Sequence, residues 1–170
     1  MLFRSTTNDS ANAVRVTRSL LTNRIAGGFG AVAISDNGTV LASQQSGGNV
    51  NNPSVNNSRA LRSDVSGPSN VVTNVPLLAP YLDNLPAYHG LSADGSVLVG
   101  TAFTGGFTGS QNQFTGTNGV AFRWVNPSAS VTELPRPAGG TWSVAISVSP
   151  SGNLALVGGN SAAYPNGEVW

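Results

Sequence analysis

The carboxylates and the single histidine are the side chains of this sequence that could carry out acid–base chemistry. Hydrolysis of a glycosidic bond, for example, needs two carboxyl groups at a defined separation. Asp36 and Asp94 lie in matching turns of two similar segments, which favours a structural role for both. Glu133 falls in a predicted outer strand, and Asp83 falls in a predicted linker that gives it no structural explanation. The full set of acids is Asp9, Asp36, Asp64, Asp83, Asp94, Glu133 and Glu168.

His89 is the only histidine, so a Ser–His–Asp triad or a zinc site would have to use it. No Gly-x-Ser-x-Gly motif accompanies it, and one histidine in a chain without cysteine does not make a conventional zinc site. We therefore expect His89 at a packed strand position. The Asp–Gly turns each offer too few oxygen ligands for calcium, and a chain without lysine has no phosphate-binding loop. We expect no catalytic residue, cofactor-binding residue or metal ligand.

The composition excludes several classes of partner. Only 9% of the 170 residues are charged, the formal net charge is +1, and all eight basic residues are arginine. No clustered basic surface is present, so we expect no nucleic-acid partner. No apolar run approaches the length of a membrane helix, so we expect no membrane span. The first residues lack the apolar segment of a signal peptide, so we expect any export signal to lie outside this chain.

One motif recurs three times and indicates the elements that would position these side chains. Each copy is a short strand, a Ser-x-x-Gly turn and a second apolar strand, over residues 31–43, 88–100 and 145–158. The turn glycines Gly38, Gly95 and Gly152 are spaced by 57 and 57 residues. Asp or Asn before Gly supplies the positive φ of a tight hairpin, and Ser hydrogen-bonds back onto the turn. The sequence therefore predicts an internal repeat.

A second motif lies between these hairpins, and each of its first three copies is followed by a polar turn and another predicted strand. The motif covers residues 2–5, 60–63 and 121–124 and, more loosely, 167–170. The strands that follow it cover residues 13–17, 70–75 and 130–134, with the short alternation of apolar and polar residues that is typical of strands. Residues 18–25 alone are compatible with a helix, and a loop fits them equally well.

The repeat unit is thus four strands over about 50–60 residues, close to the length of one propeller blade. We expect an all-β, β-propeller-like array of a half blade, two blades and a half blade, with boundaries at 1–28, 29–86, 87–143 and 144–170. Three units do not close a ring of the usual four to eight blades. The chain is then either part of a larger ring in a longer protein or one half of a six-blade ring made by two chains. A stacked β-solenoid fits the long period less well.

The segments Leu91–Gly100 and Ala121–Trp124 resemble the HAF-type extracellular repeats of bacterial secreted proteins and autotransporter passengers. In those repeats a Ser-x-Asp-Gly turn leads into a Val/Gly strand and then an Ala-Phe-Arg-Trp strand. The first unit departs from the pattern with Ser43 in place of the final glycine, and the third has Pro150. The resemblance implies an extracellular or cell-surface location and a propeller-like fold, and it carries no catalytic residues.

The function expected from these observations is a non-enzymatic scaffold, adhesion or ligand-binding module. Its partners would be a second copy of itself or the rest of a longer chain, together with a glycan or protein ligand. The polar segments 46–57 and 104–118 are the expected binding loops, because loops on a rigid framework commonly carry function. The alternative is the propeller portion of a secreted glycan-binding or glycan-hydrolysing protein, in which Trp124, Trp142 or Trp170 could stack on sugars. Their positions favour packing between units instead, and the Asp-box of sialidases is not matched.

Overall fold

The computed structural model describes residues 13–16, 22–25, 31–45, 59–67, 71–81, 83–103 and 119–170. Within these ranges the chain consists of strands, turns and extended segments and contains no helix, so the prediction of an all-β fold is confirmed. The strands are β1 Ala13–Val16, β2 Thr22–Ile25, β3 Ala31–Ile34, β4 Val40–Gln45, β5 Arg59–Asp64, β6 Val71–Asn74, β7 Asp83–Leu91, β8 Val97–Phe103, β9 Gly119–Val125, β10 Val131–Glu133, β11 Ser143–Val148, β12 Ala155–Gly159 and β13 Glu168–Val169.

Three successive antiparallel meanders form the body of the described chain. Strands β3 to β6 pair in sequence order in unit 1 (residues 31–75), and β7 to β10 do the same in unit 2 (residues 83–134). Strands β11 to β13 form unit 3 (residues 143–170). A parallel pairing of His89 in β7 with Ser147 in β11 joins units 2 and 3 into one seven-stranded sheet. The first strands of these two units therefore lie side by side.

The apolar core lies between the units. The first cluster joins residues of units 1 and 2, namely Val40, Ala42, Ala60, Val75, Leu91, Leu98, Ala102, Val120, Phe122 and Trp124. The second joins units 2 and 3 through Ala87, Val99, Ala121, Ala145 and Val157. Val99 and Leu98 are neighbours on one strand and belong to different clusters, because successive side chains of a strand point to opposite faces of the sheet. Unit 2 is thus covered on both faces.

The hairpin register repeats with the period of the sequence. Ile34 pairs with Leu41, Leu91 with Leu98, and Val148 with Ala155, each pair flanking a turn. The first strand of each unit then carries a register shift, between Ala31 and Ala33, between Pro86 and Leu91, and between Ala145 and Ser147. These irregularities bend the first strand and free it from strict alternation.

Four expectations from the sequence need correction. Residues 22–25 form a strand that pairs with β1, where a helix or loop was expected. Asp83 is the first residue of β7 and not part of a linker. His89 lies in a strand as expected, but its side chain is exposed, because the β7 register shift spans this position.

The fourth correction concerns the last residues of the chain. The motif alignment placed Trp170 at the position of Trp124, but Gly158 pairs with Val169 as Thr101 pairs with Ala121. Trp170 therefore takes the register position of Phe122, two residues earlier in the strand. The second-motif copy at 2–5, Asp9 and the segments 46–57 and 104–118 lie outside the described residues.

Candidate functional site

Each unit has two edges where chain connections lie, because successive strands of a meander run in opposite directions. The "turn edge" holds the hairpin turns between first and second strands, residues 35–39, 92–96 and 149–153. The "loop edge" is the opposite edge, where the second strands end at Gln45, Phe103 and Gly159 and pair with the first residues of the third strands. The predicted binding segments 46–57 and 104–118 follow Gln45 and Phe103 in the sequence and lie outside the described residues.

Side chains at the turn edge are used inside the turn itself. In unit 2 the Ser92 hydroxyl donates to Asp94 Oδ1 at 2.7 Å, and Ser92 Oγ accepts from the Val97 N–H at 2.9 Å. The Ser96 N–H also donates to Asp94 Oδ1, at 2.9 Å. Asn37 in unit 1 accepts the matching bonds, from the Ser35 hydroxyl and the Thr39 N–H. This is why Ser, Asx and Gly recur at these positions.

The electrostatics of Asp94 agree with a structural role. The Ser96 N–H and the hydroxyls of Ser92 and Ser96 donate to its carboxylate and lower its pKa to about 2. Hydrogen bonds to the charged form stabilise that form. A carboxyl group held ionised in this way is unsuited to act as a general acid near neutral pH, because such an acid needs a pKa near the working pH.

The turns also hydrogen-bond to one another across the units. The Asp36 N–H donates to the Ala93 carbonyl at 2.9 Å, and the Ala93 N–H donates to the Pro150 carbonyl at 2.9 Å. These three residues occupy the same position in successive turns, 57 residues apart. The same bond thus repeats from each unit to the next.

An arginine of the third strand makes a second repeated link. Arg62 Nε donates to the Gly95 carbonyl at 2.8 Å, and Arg123 Nε and Nη2 donate to the Gly152 carbonyl at 3.3 and 3.2 Å. Arg62 is 8% exposed, and its Nη2 lies 3.7 Å from Asp64 Oδ2 in an ion pair. The arginine of the second motif therefore fastens each unit to the turn of the following one.

Near the loop edge, a polar side chain at the start of units 2 and 3 accepts a hydrogen bond from a backbone N–H of the preceding unit. Asn84 Oδ1 accepts from the Ala60 N–H at 2.7 Å, and Ser143 Oγ accepts from the Ala121 N–H at 2.9 Å. Both acceptors are fully buried. These residues could not be recognised in the sequence, because Asn and Ser differ in type and lie 24 and 22 residues after the N–H groups that they bind.

The other acids named from the sequence are distributed over the molecule. Asp83 is 3% exposed at the start of β7. Glu133 ends the edge strand β10, and its Oε1 lies 2.9 Å from Arg136 Nη2. The Ser66 hydroxyl and N–H donate to Asp64 and lower its pKa. Over the described ranges no three His, Cys, Asp or Glu side chains come together in a metal-binding group.

The three tryptophans differ in exposure. Trp124 is 1% exposed in the first core cluster, and its Nε1–H donates to the Ser128 carbonyl at 2.8 Å. Trp170 is half-buried and packs against the second cluster. Packing between units is confirmed for these two. Trp142 is half-buried at the loop edge, immediately before β11.

Unit 3 shows the loop edge in full, because its connection between second and third strands lies within the described residues. Asn160 Oδ1 accepts from the N–H groups of Thr141 and Trp142 at 2.9 and 3.1 Å. Arg136 Nη1 donates to the Thr141 carbonyl at 3.2 Å. Tyr164 is 57% exposed, and its backbone N–H donates to Ser161 Oγ, next to Asn160, at 3.1 Å. The result is a fixed backbone surface with an exposed aromatic ring, a half-buried indole and an arginine.

No family model, curated protein or solved structure matches this chain. None of its described segments is a helix of the length and apolarity required to cross a lipid bilayer.

Proposed function

We propose that this chain is an exported, non-enzymatic repeat module in which propeller-like blades serve as a scaffold and the loop edge binds a ligand. One observation carries the proposal. The chemically capable side chains at the turn edge are used to hold turns and units together, whereas the loop edge presents an exposed aromatic side chain on a fixed backbone. Resemblance of the second unit to HAF-type extracellular repeats supports the cell-surface setting.

The propeller-like arrangement is supported by the packing. Two four-stranded meanders and a three-stranded one stack with their apolar faces between them. The first strands of units 2 and 3 run parallel. The turns of the three units are joined by two equivalent backbone hydrogen bonds, one between each unit and the next. Blades that radiate from an axis with their first strands innermost have these properties.

A glycan is the class of ligand favoured by the aromatic residues at the loop edge of unit 3. Tyr164 is exposed and Trp142 is half-buried on the same edge, and planar aromatic faces pack well against sugar rings. Glu133, in the edge strand β10, is held in an ion pair by Arg136. We propose binding of a polysaccharide without cleavage.

The test uses the whole chain and a panel of soluble polysaccharides such as xylan, mannan and pectin in affinity electrophoresis. Retardation by one polysaccharide that is lost in Tyr164→Ala supports the loop edge as the binding site. Val71→Ala is the matched control, because Val71 is similarly exposed, at 61%, but lies at the other edge. Release of new reducing ends would contradict the non-enzymatic proposal, and retardation unchanged by Tyr164→Ala would contradict the site.

A further inference from the structure

The hairpin turn of one unit fits against an aliphatic side chain of the unit before it. A Cβ atom built on Gly95 would lie 2.5 Å from Val40 Cβ, and one built on Gly152 would lie 2.6 Å from Val97 Cγ2. Val40 and Val97 hold the same place in successive units, and they are 3% and 4% exposed. The contact is therefore a repeated interface. In each case the turn glycine of one unit packs on the first residue of the second strand of the preceding unit.

The trailing half of this interface is uncovered in unit 3. Leu154 stands in the position of Val40 and Val97, but it is 74% exposed. Leu156 is 43% exposed, whereas its counterparts Ala42 and Val99 are fully buried. The face of unit 3 that corresponds to the covered faces of units 1 and 2 thus presents large apolar side chains to solvent.

In unit 1 the leading half of the interface meets no such aliphatic partner among the described residues. Gly38 has the same backbone conformation as Gly95, with φ of +70° against +72°. Among the described residues only Ile34 lies within 4 Å of a Cβ built there, at 3.9 Å. Ile34 itself is 41% exposed, whereas its counterpart Leu91 is 8% exposed. Among the described residues, Gly38 in unit 1 thus has no aliphatic side chain of another unit against it, and Leu154 in unit 3 has no turn glycine against it.

We propose that the Leu154 face is the docking surface for a second copy of this chain, which inserts its Gly38 turn there in the way that Gly95 sits on Val40. The contact is heterologous, since it joins different surfaces of the two copies. Two chains joined in this way at both ends form a closed ring. If the rotation between neighbouring copies does not close the ring, further copies add to an open array. The burial of Leu154 and Leu156 supplies the apolar contribution to association.

One bond of the repeated interface is missing at this junction. The donor that follows Asp36 and Ala93 in the series of turn-to-turn bonds is Pro150, which has no backbone N–H. The junction between copies therefore relies on the apolar contact without the turn-to-turn hydrogen bond. It is weaker than the junctions within the chain, as suits a reversible association. Restoring the N–H with Pro150→Ala should tighten association by about two- to tenfold, the worth of one net hydrogen bond.

Sedimentation equilibrium over a range of concentrations tests the proposal on the whole chain. The wild type should exceed the 17.3 kDa chain mass as concentration rises. Leu154→Arg should weaken association by more than about tenfold, as expected for a central apolar contact. Val71→Arg is the matched control, since Val71 is a similarly exposed apolar residue on another strand, 61% exposed. A wild type that stays at the chain mass overturns the proposal, and so does association that Leu154→Arg leaves unchanged.

Cysteine pairs then identify the contacting ends, because the natural chain has no cysteine. Ala93 and Pro150 are neighbours across two turns, and Asp36 holds the place of Ala93 in unit 1. A mixture of the single variants Asp36→Cys and Pro150→Cys should form mixed disulfide dimers on mild oxidation. Ser128→Cys mixed with Pro150→Cys is the control. Equal yields from the two mixtures overturn the head-to-tail arrangement. Polysaccharide binding is measured separately through Tyr164, so either proposal can fail without the other.

Discussion

The Cα of Gly95 packs so closely on Val40 of the preceding unit that a methyl group at Gly95 would lie 2.5 Å from Val40 Cβ. Gly38 has nearly the same φ and the same place in its turn, but only Ile34 of the described residues lies near it. The two glycines therefore separate the cost of a positive φ from the cost of a steric overlap.

Gly95→Ala should destabilise the chain more than Gly38→Ala. Both substitutions force alanine into the left-handed region, at about 1–2 kcal/mol, and Gly95→Ala adds overpacking of about 1–3 kcal/mol. Urea unfolding followed by circular dichroism measures both free energies. Equal losses would mean that the turn of unit 2 does not sit on unit 1.

Asp94→Asn should make stability less sensitive to acid. The folded pKa of Asp94 is about 2, below its usual 3.8, so its ionised form favours folding above about pH 4 and this contribution is lost as pH falls toward 2. Asparagine keeps the turn, as Asn37 does in unit 1. Urea midpoints from pH 5 to pH 2 should therefore fall less steeply in Asp94→Asn than in the wild type.

The control for this effect is Asp36→Asn, since Asp36 is exposed at the position of Ala93 and outside the hydrogen-bonded Asx position. A carboxyl NMR titration of the wild type gives the pKa of Asp94 directly. A value at or above the ordinary aspartate range, or parallel pH profiles for the wild type and Asp94→Asn, would refute the turn geometry.

Asn84→Ala and Ser143→Ala should each destabilise the chain by about 1–3 kcal/mol, because each leaves a buried N–H of the preceding unit without its acceptor. Asn84→Ala should cost more, since Asn84 Nδ2 also donates to the Pro76 carbonyl at 2.9 Å. Amide hydrogen exchange should accelerate at Ala60 in the first variant and at Ala121 in the second. Asn153→Ala, at an exposed turn position, is the control. Exchange rates that change equally at both amides would argue against separate inter-unit bonds.

Ser43→Ala should stabilise the chain. The hydroxyls of Ser43 and Ser63 are fully buried without a hydrogen-bond partner in the described structure, and an unsatisfied buried hydroxyl costs about 1–3 kcal/mol. Removing it while keeping most of the packing volume should raise the urea midpoint. Ser35→Ala is the contrasting variant, because the Ser35 hydroxyl is used in its turn, and it should lower the midpoint. A loss of stability in Ser43→Ala would show that its hydroxyl has a partner.

The hairpins could be predicted from the sequence because their determinants are local. Ser92, Asp94 and Gly95 lie within four residues of one another and satisfy one turn, so the same residue types recur at a fixed spacing. The all-β fold follows from the alternation of the strands between these turns. The exposure of His89 was not predictable, because a register shift in β7 interrupts the alternation there.

The inter-unit contacts escaped prediction for a different physical reason. Arg62 reaches a carbonyl 33 residues ahead and Arg123 one 29 residues ahead, so the two equivalent contacts do not share one sequence separation. A contact with a variable separation leaves no period in a single sequence. The aromatic surface around Tyr164 was missed as well, because Asn160 meets Trp142 only once the strands are paired.

The central claim is that three like units stack through one repeated contact, and methyl NOE spectroscopy on a valine-labelled sample tests it directly. The structure predicts cross-peaks between the Gly95 α-protons and the Val40 methyls, and matching cross-peaks between Gly152 and Val97. Observation of both sets in one sample would establish the repeat in solution. Absence of both, with the intra-unit strand NOEs intact, would show that the units fold separately and would contradict the stacked array.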